Sequence, residues 1–335
     1  MSVPNFYFNL IVYLYPSVNL AKKNEKIGGT GFLVGVESEE KGKFFVYIVT
    51  NCHILEKIKS TGSKECAIRI NTKDGKTDIL STSLERWFHH PEGDDIAICP
   101  LKTSENWKIN FITEDFFLKP EYIRGDIFNE EPEPEKFEIN IHDDGTTRKW
   151  EEIGKIGIGD ETVTVGRFIK HSGDIMNYPV VRKGHIAMLP FEPIKQKNRD
   201  FMQDSFLVES YSIGGFSGSP VFVQTSLETK NRSATGSGTA YHNKVFLLGI
   251  DWGHFDFEGD LIDPISGKIS TPSGMMCVVP SWKLSELLLM DGLNVLRKEL
   301  EKLSKDSKKE KEMTEGEFEE LIKKVQVEDK NGKGK

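Results

Sequence analysis

The sequence predicts an all-β protein with a helical extension at its C-terminal end. Up to about residue 118, apolar residues fall in short β-branched or aromatic runs separated by Gly, Asn, Asp and Lys. Runs of the same kind return between about residues 159 and 280, and neither region carries long helical periodicity. After Pro280 the leucines switch to helical spacing. Many short strands without helices between them point to a barrel or a sandwich.

In chain order, Phe8–Tyr15, Gly31–Val36, Phe44–Val49, Ala67–Asn71 and Asp95–Pro100 read as strands, with one helical turn at Asn51–Lys57. These make a first β unit over residues 6–118. Residues 119–158 form an acidic connector, because Glu130-Glu131-Pro132-Glu133-Pro134-Glu135 cannot pack into a core. Within it, Phe137–Ile141 and Thr146–Trp150 flank Asp143-Asp144-Gly145, which predicts a small hairpin. A second β unit over 159–280 takes its strands from Glu161–Arg167, Tyr178–Arg182, His185–Met188, Phe206–Val208, Val221–Val223, Val245–Asp251 and Met275–Val279. Residues 281–335 form a charged helical tail. Ser281 is placed as an N-cap ahead of Leu284, Leu287 and Leu288, and Leu296, Leu300 and Leu303 continue at helical spacing. Thr314-Glu315-Gly316-Glu317 is a capping-box signature with Phe318, Leu321, Ile322 and Val325 on one face behind it, and Glu328–Lys335 is expected to fray.

The chain has 335 residues, 37% apolar and 29% charged, as in a globular protein with a large core. Its net charge of −8 argues against a nucleic-acid partner. Most of that charge is local: Glu121 to Glu152 holds eleven acids against four bases. The four cysteines lack metal-ligand spacing, and Cys52 and Cys99 sit in apolar runs, so all read as buried thiols without disulfides. No apolar run approaches the ~20 residues of a membrane span, and the N-terminus has no basic region of a secretory leader. A cytoplasmic protein without a membrane partner is the expectation.

The hexapeptide Gly215-Phe216-Ser217-Gly218-Ser219-Pro220 carries the chemistry. A serine between glycines on a tight turn, leading into the strand Val221-Phe222-Val223, exposes a hydroxyl for attack on a carbonyl. That hydroxyl is too weak an acid to attack unaided and needs an imidazole within hydrogen-bond reach, itself oriented by a carboxylate. Val49-Thr50-Asn51-Cys52-His53 and Asp94-Asp95-Ile96-Ala97-Ile98 supply both, and they precede the serine in the order His, Asp, Ser. Asp95 touches the apolar run directly and is preferred to Asp94 as the acid. An adjacent His89-His90 pair has no spaced His or Cys partner in the sequence, so no metal site is expected.

These blocks resemble those of the trypsin-like serine peptidases of the chymotrypsin superfamily, most of all bacterial intracellular members without disulfides. Gly29-Thr30-Gly31-Phe32-Leu33-Val34 is similar to the strand that precedes the histidine in that family, and the resemblance runs from about residue 8 to 280. It implies two six-stranded antiparallel β-barrels with the site in the cleft between them. It implies His53 as general base, Asp95 as orienting acid, Ser217 as nucleophile, and the N–H groups of Gly215 and Ser217 as the oxyanion hole. Hydrolysis of a protein or peptide substrate without a cofactor follows.

Leu248-Gly249-Ile250-Asp251-Trp252-Gly253 resembles the family's substrate-binding strand, which implies that Asp251, Trp252 and Gly253 line the substrate. Asp251 stands where small hydroxyl residues are common, so a contact to substrate, to the triad or to a turn is open to it. Tyr211, six residues before the nucleophile, falls at the base of the primary pocket; with no acid there, apolar or small side chains are expected ahead of Arg or Lys. Phe216 replaces the Asp that in digestive members pairs with a new N-terminus, so the site is expected to form on folding rather than by zymogen cleavage. Two other readings stand beside the enzyme: a non-catalytic binding module on the same scaffold, and an adaptor whose C-terminal helices dock a protein partner.

Overall fold

The Phe44–Thr50 segment, with a β-branched or aromatic residue at every position, forms a nearly central strand of the first unit. In this computed structural model the described residues are all except 1–3, 26–27, 124–135, 140–147, 152–155, 170–172, 197–198, 211–214, 234–235, 261–267, 307–313 and 333–335. The first sheet contains β1 (Ile11–Tyr15), β2 (Gly29–Glu37), β3 (Phe44–Thr50), β4 (Glu65–Asn71), β5 (Thr77–Ser83), β6 (Phe88–His89) and β7 (Ala97–Leu101). Their order is β5-β4-β1-β2-β3-β7-β6, each neighbour antiparallel. This differs from the six-stranded barrel expected of the first unit: β5 is an additional strand, and the sheet is a half-barrel with β5 and β6 at its edges.

Short helices punctuate this unit: α1 (Asn5–Phe8), α2 (Val18–Lys23) and α3 (Cys52–Ser60). The last is longer than the single turn expected, because Cys52, Ile54, Leu55 and Ile58 give it a buried apolar face. The connector hairpin forms as β8 (Lys136–Ile139) paired with β9 (Arg148–Glu151); the Glu130–Glu135 run lies outside the described residues.

The second unit is a closed six-stranded barrel, as expected. It contains β10 (Glu161–Gly166) and β11 (Val180–Met188). A small ribbon of β12 (Ile194–Lys195) and β13 (Met202–Gln203) then precedes β14 (Phe206–Glu209), β15 (Pro220–Ser233), β16 (Gly236–Asp260) and β17 (Lys268–Pro280). The barrel order is β10-β11-β14-β17-β16-β15, and β15 pairs back onto β10. Closure leaves this unit no free edge. β15 and β16 run far past the apolar segments Val221–Val223 and Val245–Asp251, joined by an antiparallel ladder whose register shifts once, between Val221 and Phe222.

The C-terminal segment folds as α4 (Ser281–Leu288), α5 (Asp291–Asp306) and α6 (Glu315–Gly332). Pro280, not Ser281, is the N-cap of α4; the Ser281 hydroxyl instead donates to the Leu118 carbonyl at 3.0 Å. The capping box at Thr314 forms as expected, with Glu317 N–H donating to Thr314 Oγ1 at 3.3 Å and Thr314 N–H to Glu317 Oε2 at 2.7 Å. Helix α6 continues to Gly332, past the point at which fraying is expected.

Helices α5 and α6 are docked on the first unit, while α4 packs on β16 and β17 of the second. Leu293, Leu296, Phe318, Ile322 and Val325 are buried in the cluster that holds Phe32 and Tyr47. Arg86 pairs with Glu315 at 2.7 Å and lies over the Phe318 ring, and Arg297 donates to the Tyr47 hydroxyl at 3.1 Å. The apolar stripe of α6 is therefore spent within the chain.

The two β units share one core. Leu10, Phe32 and Val49 of the first pack in the same cluster as Val165, Phe222 and Val279 of the second. A polar seam crosses the same boundary. Arg69 on β4 donates to the carbonyls of Gly173 at 2.9 Å and Asp174 at 2.8 Å. Asn71 and Asn177 exchange bonds of 3.0 and 2.7 Å. Arg167 is buried, with its guanidinium 4.7 and 4.6 Å from the Tyr13 and Tyr15 ring centroids and donating to Asn24 Oδ1 at 2.8 Å. No helix among the described residues is long and apolar enough to cross a membrane.

Candidate active site

His53 is the second residue of α3, immediately after β3 turns into the helix. The first N–H groups of any helix lack partners within it and carry partial positive charge. Here one of them is met by a carboxylate: His53 N–H donates to Asp95 Oδ1 at 2.9 Å. The same carboxylate holds the ring, with Asp95 Oδ2 2.6 Å from His53 Nδ1. Asp95 is buried, while the His53 side chain is 31% exposed, so the imidazole forms the open end of the pair. A carboxylate can only accept, which places a proton on Nδ1 and leaves Nε2 as the ring nitrogen that does not face the acid.

Asp95 is tethered through its main chain at both ends. Its carbonyl accepts from Asn51 Nδ2 at 2.8 Å, and its N–H donates to Gln203 Oε1 at 3.0 Å. Arg199 adds a guanidinium nitrogen 3.8 Å from Asp95 Oδ1. The expected choice between neighbouring acids is thus resolved in space. Asp95 faces His53, and Asp94 turns away towards His90 Nδ1 at 3.0 Å and Lys283 Nζ at 3.6 Å. Burial alone would raise the Asp94 carboxyl, but hydrogen bonds from His90 and Gln203 and the Lys283 charge hold it below the usual carboxylate range.

Ser217 sits on the loop ahead of β15, and that loop is stitched to β2, the partner of the strand that leads into His53. Thr30 N–H donates to the Ser217 carbonyl at 3.0 Å, and the Thr30 hydroxyl to the Gly215 carbonyl at 2.7 Å. Thr50 Oγ1 in turn donates to the Thr30 carbonyl at 2.8 Å, three residues before His53. Two glycines permit this approach. Gly215 has φ +104° and Gly218 φ +85°, and a Cβ on Gly218 would run into the Thr30 carbonyl oxygen and lie 2.6 Å from Thr50 Oγ1.

Among the described residues, the Ser217 hydroxyl makes no hydrogen bond, so the link from serine to imidazole is not closed. Neither the Gly215 nor the Ser217 N–H is taken by another described residue. Phe216 is buried, with Arg182 over its ring at 5.5 Å.

The residues expected to line substrate divide. Asp251 is fully buried and braces the serine loop: its N–H donates to the Ser219 carbonyl at 2.9 Å and its carbonyl accepts from Gly218 N–H at 2.8 Å. Its carboxylate accepts from Gly253 N–H at 3.0 Å. Of the contacts open to it, the turn is therefore met. Trp252 is half-buried and donates from Nε1 to Ser205 Oγ at 3.1 Å. A side chain at Gly253 would meet open space. Tyr211 lies outside the described residues.

All four cysteines are buried and free. Burial pushes the thiols of Cys99 and Cys277 up to about 12, and burial with the nearby Asp95 charge pushes Cys52 higher still. Cys52, although it precedes His53, is therefore no thiolate nucleophile. The His89-His90 pair splits. His89 Nδ1 faces Cys52 Sγ at 3.1 Å, while His90, Glu92 and Asp94 bring donor atoms within 4.8 Å of one another. Lys283 Nζ lies 3.5 Å from Glu92 and 3.6 Å from Asp94, so an ammonium already neutralises charge at these two carboxylates.

Three features of the site escaped sequence reasoning: Gln203, Arg199 and the tether from Asn51. Only Asn51 left a signal, as a good N-capping residue type between strand and helix. No protein-family model matches this chain, and no curated protein matches it.

Proposed function

We propose that this chain is a serine endopeptidase that resembles the trypsin-like peptidases, its two β units facing each other across the site as in a chymotrypsin-like fold. The observation that carries the reading is the His53–Asp95 pair, with Nδ1 held at 2.6 Å and Nε2 left open. A buried carboxylate clamped on a half-exposed imidazole is the base that a serine nucleophile requires.

In this reading His53 Nε2 takes the Ser217 proton as Oγ attacks the scissile carbonyl. The N–H groups of Gly215 and Ser217 hold the oxyanion, and their freedom from other described partners supports that role. The imidazolium then gives its proton to the leaving amine, an acyl group stays on Ser217, and water releases it by the same steps in reverse order. The open Ser217 hydroxyl is compatible with catalysis, since such contacts often tighten only in the substrate complex. Tyr211, Trp252, Gly253 and Asp251 are then substrate-side or loop-bracing residues, with preference for apolar or small side chains.

The same open hydroxyl favours a second reading, a binding module that holds protein ligands without cleaving them. Labelling with a fluorophosphonate separates the two. Modification of Ser217 that disappears in His53→Ala supports the peptidase; a folded protein that stays unlabelled supports the binding module.

A further inference from the structure

Gln203 belongs to the β12–β13 ribbon of the second unit, yet its carboxamide is fully buried between two acids of the first. Oε1 accepts from Asp95 N–H at 3.0 Å and from Gln196 Nε2 at 3.1 Å. Nε2 donates to Asp94 Oδ1 at 2.5 Å and to the Asp204 carbonyl at 3.2 Å. A main-chain N–H can only donate and a carboxylate can only accept, so these neighbours permit one orientation of the amide. The line continues beyond Asp94. His90 Nδ1 stands 3.0 Å from its Oδ2, and His90 Nε2 stands 3.2 Å from Glu286 on α4.

The consequence concerns Asp95. Its two main-chain tethers come from different units, Asn51 from the first and Gln203 from the second. The rotation of the Asp95 backbone sets where its carboxylate points. Without Gln203 the buried Asp95 N–H and one Asp94 oxygen lose their partners, and the local chain must turn to regain them.

We propose that Gln203 is a positioning residue, through which the ribbon of the second unit aims the Asp95 carboxylate at His53. The geometric claim concerns the pair alone; its kinetic consequence rests on the peptidase reading.

The experiment uses the full-length chain and two readouts. The first is the far-downfield proton NMR signal of His53 Nδ1–H bound to Asp95, which reports the pair whether or not the protein cleaves anything. The second is kcat and KM on a peptide drawn from an unbiased library. Gln203→Ala is expected to shift or erase the proton signal and to lower kcat roughly 10–100-fold, with KM little changed. Gln203→Glu should do the same, because it sets a like charge against Asp94. The double variant Gln203→Glu with Asp94→Asn reverses the donor and acceptor across that bond, at the loss of the bond to the Asp204 carbonyl, and should recover part of both readouts, which a role in packing alone does not provide.

A Gln203→Ala protein with the wild-type proton signal overturns the proposal. So does a folded double variant no better than Gln203→Glu. A signal that follows these substitutions in a protein that neither cleaves nor labels upholds the positioning role and overturns the peptidase reading.

Discussion

The Asp95 carboxylate meets His53 twice, at the main-chain N–H through Oδ1 and at ring Nδ1 through Oδ2. One acid therefore caps the start of α3 and fixes the tautomer of the imidazole. The helix cannot shift without moving the ring, and the ring cannot flip without losing the acid.

Replacing Asp95 with Asn tests this double contact. The amide keeps one acceptor and turns a donor towards a group that already donates. Turnover is expected to fall about 10⁴-fold, as for the same change in known Ser-His-Asp enzymes. Fluorophosphonate labelling should slow in parallel. Peptide cleavage within tenfold of wild type would remove Asp95 from the mechanism.

Gly218→Ala places a side chain at φ +85° against the Thr30 carbonyl. The backbone conformation alone costs on the order of 1–3 kcal/mol, and the collision adds to it. Thermal denaturation should show a lowered Tm, and labelling of Ser217 should weaken because the loop must lift off β2. An unchanged Tm would mean that this loop is not seated on Thr30.

Ile322→Ala in α6 removes a fully buried side chain from the cluster shared with Phe318 and Val325. A loss of about 2–5 kcal/mol in denaturant titration is expected. A cost under about 0.5 kcal/mol would show that α6 does not pack on the first unit and that its apolar stripe is available to another protein.

The Asp94 cluster predicts an acid-sensitive contribution to stability. A carboxyl held below its usual range binds protons less readily in the fold than in the unfolded chain. Its contribution is complete above the unfolded value of about 3.9 and drains away as pH falls through the lower folded value. Lys283 behaves oppositely. Burial would lower it, but the charges of Asp94, Glu286, Asp204 and Glu92 raise it, so its contribution is complete below about 10.4 and lost as pH rises through the higher folded value. The Tm difference between wild type and Asp94→Asn should be widest near neutral pH and narrow below about pH 4. A difference that is flat into the acid range would refute the cluster.

The sequence made the His53–Asp95 pair legible because each member adjoins a run that can only be a buried strand, Phe44–Thr50 or Ala97–Leu101. The serine loop was legible through Gly215 and Gly218, whose conformations other residues rarely adopt. Thr77–Ser83 was not read as a strand, since five of its seven residues are polar and the register is set by pairing with β4. The outer arms of β15 and β16 were missed for the same reason: their ladder, not an apolar pattern, defines them. Gln203 left no trace, because a two-residue strand has no periodicity and the two acids it bonds lie 108 and 109 positions away. Nothing in the sequence joins Arg167 to Tyr13 and Tyr15, which only the fold brings against it.

The seam of Arg69, Asn71 and Asn177 bears on how the molecule comes apart. Guanidinium and amide groups that satisfy one another across the boundary would be stranded in either piece made alone. Neither β unit is then a self-sufficient folding module. Heating or denaturant should melt both together in a single transition, and any groove between them keeps a fixed width rather than opening like a hinge.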